Sequence, residues 1–338
     1  MNIKRLIQMC CSLLLTLEVL AQLPPEDDSY KLTFHDEFDS TEINSGKWKT
    51  NMSWNQSGYK DVSYCRNIEN GLISHEKYGY RKRNWDNVRT DTTGNGTITI
   101  VSKEEKYKGE VWNWYPCEHD SCHMGTGYHN CNNTHTPPKC WDVDSLWFNY
   151  TTNQLISKEE FRYGYFEIRC RIPVPDTPRT NTGIGPNFWL WDKDSSIMSE
   201  IDVFEFDGRN NHLISAIHFE NADGDTLHGL KNHPDYIVVD DSEFHTYAAH
   251  WTPRKITFYF DGKAFVKTRK FADEMVSMPL IIDVNVPLHT MCQLIDTSHT
   301  QLPHHYEIDY VRVYQLKESE KTPKGNKIGW FSRVFGWL

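Results

Sequence analysis

From Leu155 to Tyr314 the apolar side chains recur at every second position or in short unbroken runs, and no long run carries the helical spacing. Ile256-Thr257-Phe258-Tyr259-Phe260 alternates most clearly, and Asp261-Gly262 closes it with a hairpin turn. Phe161 to Ile172, Asn187 to Trp191, Leu213 to Phe219, Pro279 to Val286 and Tyr306 to Tyr314 read as further strands, preceded by Leu32 to Phe38 and Thr97 to Val101. Many short strands at regular spacing predict an all-β fold, a two-sheet antiparallel β-sandwich. The 338 residues suffice for one large domain of this kind or two small ones.

One strand is chemically out of place. Ser199-Glu200-Ile201-Asp202-Val203-Phe204-Glu205-Phe206 sets three carboxylates inside an apolar, β-branched and aromatic run that follows Phe188-Trp189-Leu190-Trp191. Alternation points Glu200 and Asp202 the same way and would turn Glu205 into the core. A β-bulge at Val203-Phe204 lets two residues share one pleat position and returns Glu205 to the face of the other two. Carboxylates held this close cannot all ionise comfortably, so at least one should keep its proton to higher pH. Glycoside hydrolysis uses such an asymmetry, with one ionised carboxylate attacking and a protonated partner donating. The plainer readings are an acidic edge strand or a calcium loop; edge strands, however, scatter their charges rather than line up acids on one face of an apolar run.

Composition narrows the partners. Asp and Glu number 46 against 36 Lys and Arg, a formal charge of −10 that argues against nucleic acid and against adhesion to anionic membranes. Twelve Trp and 17 Tyr suit a polysaccharide partner, because the C–H face of a pyranose stacks on aromatic rings. At the N-terminus, Lys4-Arg5, the apolar Leu6 to Leu20 and Val19-Leu20-Ala21 read as a secretory signal over residues 1–21, which predicts a secreted or periplasmic protein. No other segment approaches a membrane span.

Residues 22–316 are expected to form the main domain, and residues 317–338 a linker followed by an apolar, aromatic tail. An insertion at 106–150 holds Cys117, Cys122, Cys131 and Cys140 with His119, His123, His129 and His135, compatible with two disulfides or a zinc knot. Cys65, Cys170 and Cys292 make the mature count odd, so at least one thiol should lie outside that set. Trp112, Trp114, Trp141 and Trp147 make the same insertion a candidate wall of a binding cleft. Asn51, Asn55, Asn95, Asn132 and Asn149 begin N-glycosylation patterns. Arg81-Lys82-Arg83 with Arg89 read as a solvated loop or as a site for sulfate groups.

Glu200-x-Asp202-x-x-Glu205 resembles the signature of glycoside hydrolase family 16 in its bulged form. Phe34-His35-Asp36-Glu37-Phe38 with Lys47-Trp48, Tyr163 to Arg169 and Pro186-Asn187-Phe188-Trp189-Leu190 are similar to the same family in the same order. So are Ile217-His218-Phe219, Phe244-His245-Thr246-Tyr247 with Trp251-Thr252-Pro253, Phe260-Asp261-Gly262 and Ile308 to Tyr314, so that the likeness runs from 32 to 315. It implies a jelly roll with a concave cleft, and a retaining, endo-acting, monomeric enzyme needing no cofactor for catalysis. By that resemblance Glu200 is the nucleophile, Glu205 the acid and base, and Asp202 the residue holding the nucleophile. Trp189 matches a subsite Trp, Trp191 shares its face by alternation, and His218 matches a His on the leaving-group side. The family often holds a structural calcium, and Glu37 and Asp309 are the matching positions.

Two departures blur specificity. Gly185 stands where many β-1,3-glucan-cleaving relatives have Trp, and Asn285-Val286-Pro287-Leu288-His289 replaces the Asn-x-Ala-x-Gly-Gly stretch. The substrate is therefore expected among β-1,3- or mixed-linkage glucans and algal β-galactans. A non-catalytic glucan-binding protein and a transglycosylase are the competing expectations on the same fold.

Overall fold

The computed structural model describes residues 28–50, 66–67, 71–72, 79–81, 85–90, 96–114, 141–172, 184–193, 197–206, 212–229, 237–239, 242–285, 289–290, 293–294 and 302–317. The signal segment, nearly all of the tail, Lys82, Arg83, the insertion's cysteines and histidines, Cys65, Cys292 and the asparagines of four of the five glycosylation patterns lie outside these residues. Asn149, in the fifth, is half-buried.

The described residues contain strands and no helix, in agreement with the sequence pattern. Two large sheets form the sandwich. The first runs Lys263–Thr268, Lys255–Phe260, His245–Thr252, Gly164–Arg171, His304–Leu316, Ile98–Trp114, Trp141–Thr152 and Gly79–Arg81, with Tyr30–Asp36 and Val88–Thr90 paired at its side. The second runs Thr226–His228, His212–Glu220, Met198–Phe206, Gly185–Lys193, Met278–Asn285, Gln154–Phe161 and Trp48–Lys49, with Ile237–Val238 beside His212–Glu220. Pairing is antiparallel in both, except that Gly79–Arg81 lies parallel to 150–152. Non-local pairing dominates: Tyr30–Asp36, near the N-terminus, lies against the last strand, His304–Leu316.

Alternation divides the second sheet between two environments. Phe188, Leu190, Ile201, Phe204, Phe206, Ile217, Phe219, Leu280 and Ile282 face inward and meet Phe166, Ile168, Tyr247, Trp251, Phe258, Ile308, Val311 and Val313 from the first sheet. Phe204 packs 4.6 Å from the ring of Tyr247, and Trp251 donates its indole N–H to the Ala272 carbonyl at 2.7 Å. The opposite face of the second sheet has its own small apolar cluster of Ile156, Trp191, Met198 and Ile281, with half-buried Trp189 against it. The acids lie on that face.

Among the described residues Cys170 is a free, buried thiol, and burial pushes its ionisation well upward. The expected calcium positions do not fit an ion through their side chains. Arg312 forks onto Glu37 with bonds of 3.0 and 2.7 Å, while Arg169 pairs with Asp309. Each carboxylate thus has a guanidinium where a cation would sit.

Candidate active site

The acidic strand, Met198–Phe206, departs from plain alternation at one point. Against its neighbour His212–Glu220, Asp202 pairs with Ala216 and Glu205 with Ile214, so three steps on one strand match two on the other. Against Gly185–Lys193, Trp189 faces Asp202 and Phe188 faces Phe204, which leaves Val203 without a partner position. Val203 and Phe204, consecutive residues, both sit in the core, at 2% and 0% exposure. That is the two-for-one geometry of a bulge, and it brings Glu205 out to the face of Glu200 and Asp202. The hydroxyl of Ser215 donates to the Val203 carbonyl at 2.6 Å, tying the bulge to the neighbouring strand.

Cross-strand pairing fixes what surrounds each acid. Glu200 lies between Trp191 and His218, Asp202 between Trp189 and Ala216, and Glu205 between Asn187 and Ile214. The His218 imidazole Nε2 is 3.5 Å from Asp202 Oδ2. Ligand-type atoms of Glu200, Asp202 and His218 all lie within 4.8 Å of one another, close enough in principle to grip a divalent cation. Glu200 and Asp202, however, already share a hydrogen bond, and the set reads more simply as a proton-sharing group.

Trp191 shares the face as alternation requires, yet it is only 2% exposed, packed with Ile156, Met198 and Ile281. A ring so enclosed has no face to offer a sugar, so Trp191 forms the floor of the site. Trp189 keeps part of its surface open, as do Glu200, Glu205 and His218.

The electrostatics follow from burial and from acids facing acids. Asp202 is 1% exposed, and burial together with Glu200 and Glu205 lifts it well above the usual carboxylate range. Burial and the charge of Glu205 push Glu200 up to about 8; burial and the charge of Asp283 push Glu205 up to about 7. The acids raise one another, so the titration steps belong to the group rather than to single side chains. One contact runs the other way: the hydrogen bond with Asp202 lowers Glu200 and raises Asp202.

Sequence reasoning passed over three contributors. Asp283 is 1% exposed and stands on this face in the strand Met278–Asn285, where its Oδ1 accepts the amide N–H of Asn187 at 2.8 Å. Asn187 itself faces both Glu205 and Asp283. The signal for Asp283 was the one that marked the triplet, a carboxylate inside the apolar run Pro279-Leu280-Ile281-Ile282-Asp283-Val284. Ser215 carried no comparable mark.

A two-sheet sandwich with three clustered acids on a bulged strand defines a class of carbohydrate-active fold, and the comparisons fix the family. The family model described as "Glycosyl hydrolases family 16" matches residues 78–312, and the chain belongs to that family. Among curated proteins, it is 30% identical over 173 residues to the endo-1,3-1,4-beta-glycanase ExsH of Rhizobium meliloti, covering 50% of this chain and 34% of that one. It is 24% identical over 265 residues to the kappa-carrageenase of Pseudoalteromonas carrageenovora, covering 71% and 59%. The chain thus spans about a third of the first relative's length and over half of the second's. Among solved structures, the kappa-carrageenase of Pseudoalteromonas carrageenovora bound to an oligotetrasaccharide superposes with a TM-score of 0.56 at 18% identity, over 86% of this chain and 98% of that one. The non-specific endo-beta-1,3(4)-glucanase SCLam does so at 0.54 and 20%, over 86% and 93%. These superpositions bear on the fold.

Proposed function

We propose that the chain is an exported, endo-acting, retaining glycosidase that works as a single copy on a β-linked polysaccharide. The observation that carries this reading is the bulge, which gathers Glu200, Asp202 and Glu205 on one face while Val203 and Phe204 anchor the strand in the core. In the first step a carboxylate oxygen of Glu200 bonds to the anomeric carbon. The bond from that carbon to the bridging oxygen breaks, and the proton of Glu205 goes to the departing oxygen. In the second step the ionised Glu205 takes a proton from water. The water oxygen bonds to the same carbon and Glu200 leaves as a carboxylate.

Among the influences on Glu200 only the hydrogen bond with Asp202 lowers it, and burial with Glu205 still leaves it at about 8, above the about 7 of Glu205. Of the two singly protonated forms of this pair, the one with Glu200 ionised and Glu205 protonated is therefore the less populated, and it is the form that reacts. Names of relatives suggest the substrates to try: mixed-linkage and β-1,3-glucans from the glycanase and glucanases, sulfated β-galactan from the carrageenase. The test is to incubate purified chain with such a panel and follow reducing ends. Cleavage is expected for one of them, with azide rescue of Glu200→Ala giving the glycosyl azide of inverted configuration. Binding without cleavage across the panel would mean a recognition protein, and near-normal activity of Glu200→Ala would remove its role.

A further inference from the structure

Asp283 is a fourth carboxylate on the face of the acids, and the roles given to Glu200, Asp202 and Glu205 leave it without one. Its position is built. Register puts Glu205, Asn187, Asp283 and Gln154 in one row across four adjacent strands. Asn187 donates its amide N–H to Asp283 Oδ1 at 2.8 Å, and Gln154 is itself tied down, donating to the Thr50 carbonyl at 2.7 Å. Asp283 and Asn187 are both buried, at 1% and 5% exposure, so the carboxylate is held in place on this row.

We propose that Asp283 is a positioning residue for Glu205: fixed by the Asn187 amide, its negative charge holds on Glu205 the proton that the departing oxygen must receive. This rests on the reading of Glu205 as the acid.

The other groups around this corner do not supply the effect. Glu200 and Asp202 face Glu205 from its own strand, His218 comes from His212–Glu220, and Asn187 from Gly185–Lys193 carries no charge. Across the core lies the phenol of Tyr306, whose ionisation Asp283 also opposes. Among the described residues, no lysine or arginine is one of the groups that shift Glu200, Asp202 or Glu205. Burial and Asp283 are together what lift Glu205.

The test is Asp283→Asn in the full chain, with kcat/KM measured against pH on the polysaccharide that the wild type cleaves. Removing a like charge lowers the pH at which Glu205 loses its proton. Because Glu200 titrates higher, at about 8, activity above pH 8 should fall about tenfold while activity below about pH 5 stays as in the wild type. An activated aryl glycoside of the same sugar needs no proton on its leaving group, and its cleavage should be nearly unchanged. Unchanged activity above pH 8, or an equal loss at every pH on both substrates, would overturn the proposal in favour of a merely structural Asp283. Should the variant not fold, Asp283→Ser takes its place with the same expected shift. If the wild type cleaves nothing, the proposed function fails on its own account. The Asp283 proposal is then decided by carbon-13 NMR of the Glu side-chain carboxyls, with the Glu205 signal assigned by its loss in Glu205→Gln. That signal should titrate at lower pH in Asp283→Asn, and an unchanged titration would refute the link.

Discussion

Glu205→Gln should make the protein more stable, by a margin that opens as pH rises from about 4.5 and is complete near pH 7. In the folded chain the Glu205 carboxyl is lifted from its ordinary 4.5 to about 7 by burial and by Asp283. A carboxyl raised on folding means that the folded state binds more protons than the unfolded one between those two values. Stability therefore falls as pH rises through that window. Two and a half pH units at 1.36 kcal/mol each set an upper bound of about 3.4 kcal/mol. Glu205 keeps part of its surface in solvent and shares the proton balance with Glu200 and Asp202, so roughly half, about 1.5 kcal/mol, is a better figure. Glutamine keeps the shape and removes the charge. For a chain of this size that corresponds to a gain of about 2 °C in Tm. The assay is thermal unfolding of both proteins followed by far-UV circular dichroism at half-unit steps from pH 4 to pH 8. Coincident melting temperatures near pH 4 and a gap that opens toward pH 8 are expected. A constant gap, or a variant less stable at pH 8 than the wild type, would refute the claim that the site is held together against its own charge.

The same shifts predict a pH–rate profile displaced upward. The proposed chemistry needs one acid ionised and one protonated, and Glu200 and Glu205 rise to about 8 and about 7, so kcat/KM should peak near neutrality; a maximum near pH 4.5 would contradict the burial argument. Ser215→Ala removes the bond to the Val203 carbonyl and should cost about 1 kcal/mol of stability by denaturant titration, with a larger relative loss of kcat as the bulge loosens. Gly164 has φ +147 and a side chain there would meet the Tyr314 carbonyl at 2.8 Å; Gly164→Ala should destabilise by about 1–3 kcal/mol, with the Tm lowered and the pH profile unmoved. With Glu37 and Asp309 each engaged by an arginine, chelation by EDTA should leave the melting temperature unchanged; a fall reversed by added calcium would show that an ion sits there after all.

Much of the architecture was legible because a two-sided strand leaves a two-residue rhythm, and Ile256 to Phe260 or Ile308 to Tyr314 can satisfy that rhythm in no other common structure. The bulge was legible for a negative reason: without it, Glu205 would be a carboxylate buried in an aromatic core. Register was not legible. Nothing in the chain says that Asn187 stands between Glu205 and Asp283, because pairing across strands depends on residues nearly a hundred positions apart. For the same reason Trp191 looked like a sugar platform: alternation gives its face, while Ile156 and Ile281, which enclose it, come from two other strands. Nor could the ion pairs of Glu37 and Asp309 be foreseen, since Arg312 and Arg169 reach them from other strands.

The acidic face and the aromatic core are two consequences of a single extra residue. Without it, Phe204 would leave the core and Glu205 would enter it, so packing and chemistry would fail together. The core therefore opposes reversal of the bulge: Phe204 lies against Tyr247 and Tyr306, and each large aromatic exposed would cost about 1.5–3 kcal/mol. Mutual repulsion among Glu200, Asp202 and Glu205 pushes toward such a slip, yet protonation limits it, because the cost per acid is capped by the proton it can take up. The packing force is independent of pH in this range, and the repulsive one grows with pH. The strand should hold its register most firmly in mild acid and open first, on alkalinisation, at Val203. Amide hydrogen exchange at Val203, Phe204 and Glu205 should then exceed that at Ile201 and Ile217 by a margin that widens with pH after correction for intrinsic rates. Equal protection along the strand at pH 9 would show that the core alone governs the bulge.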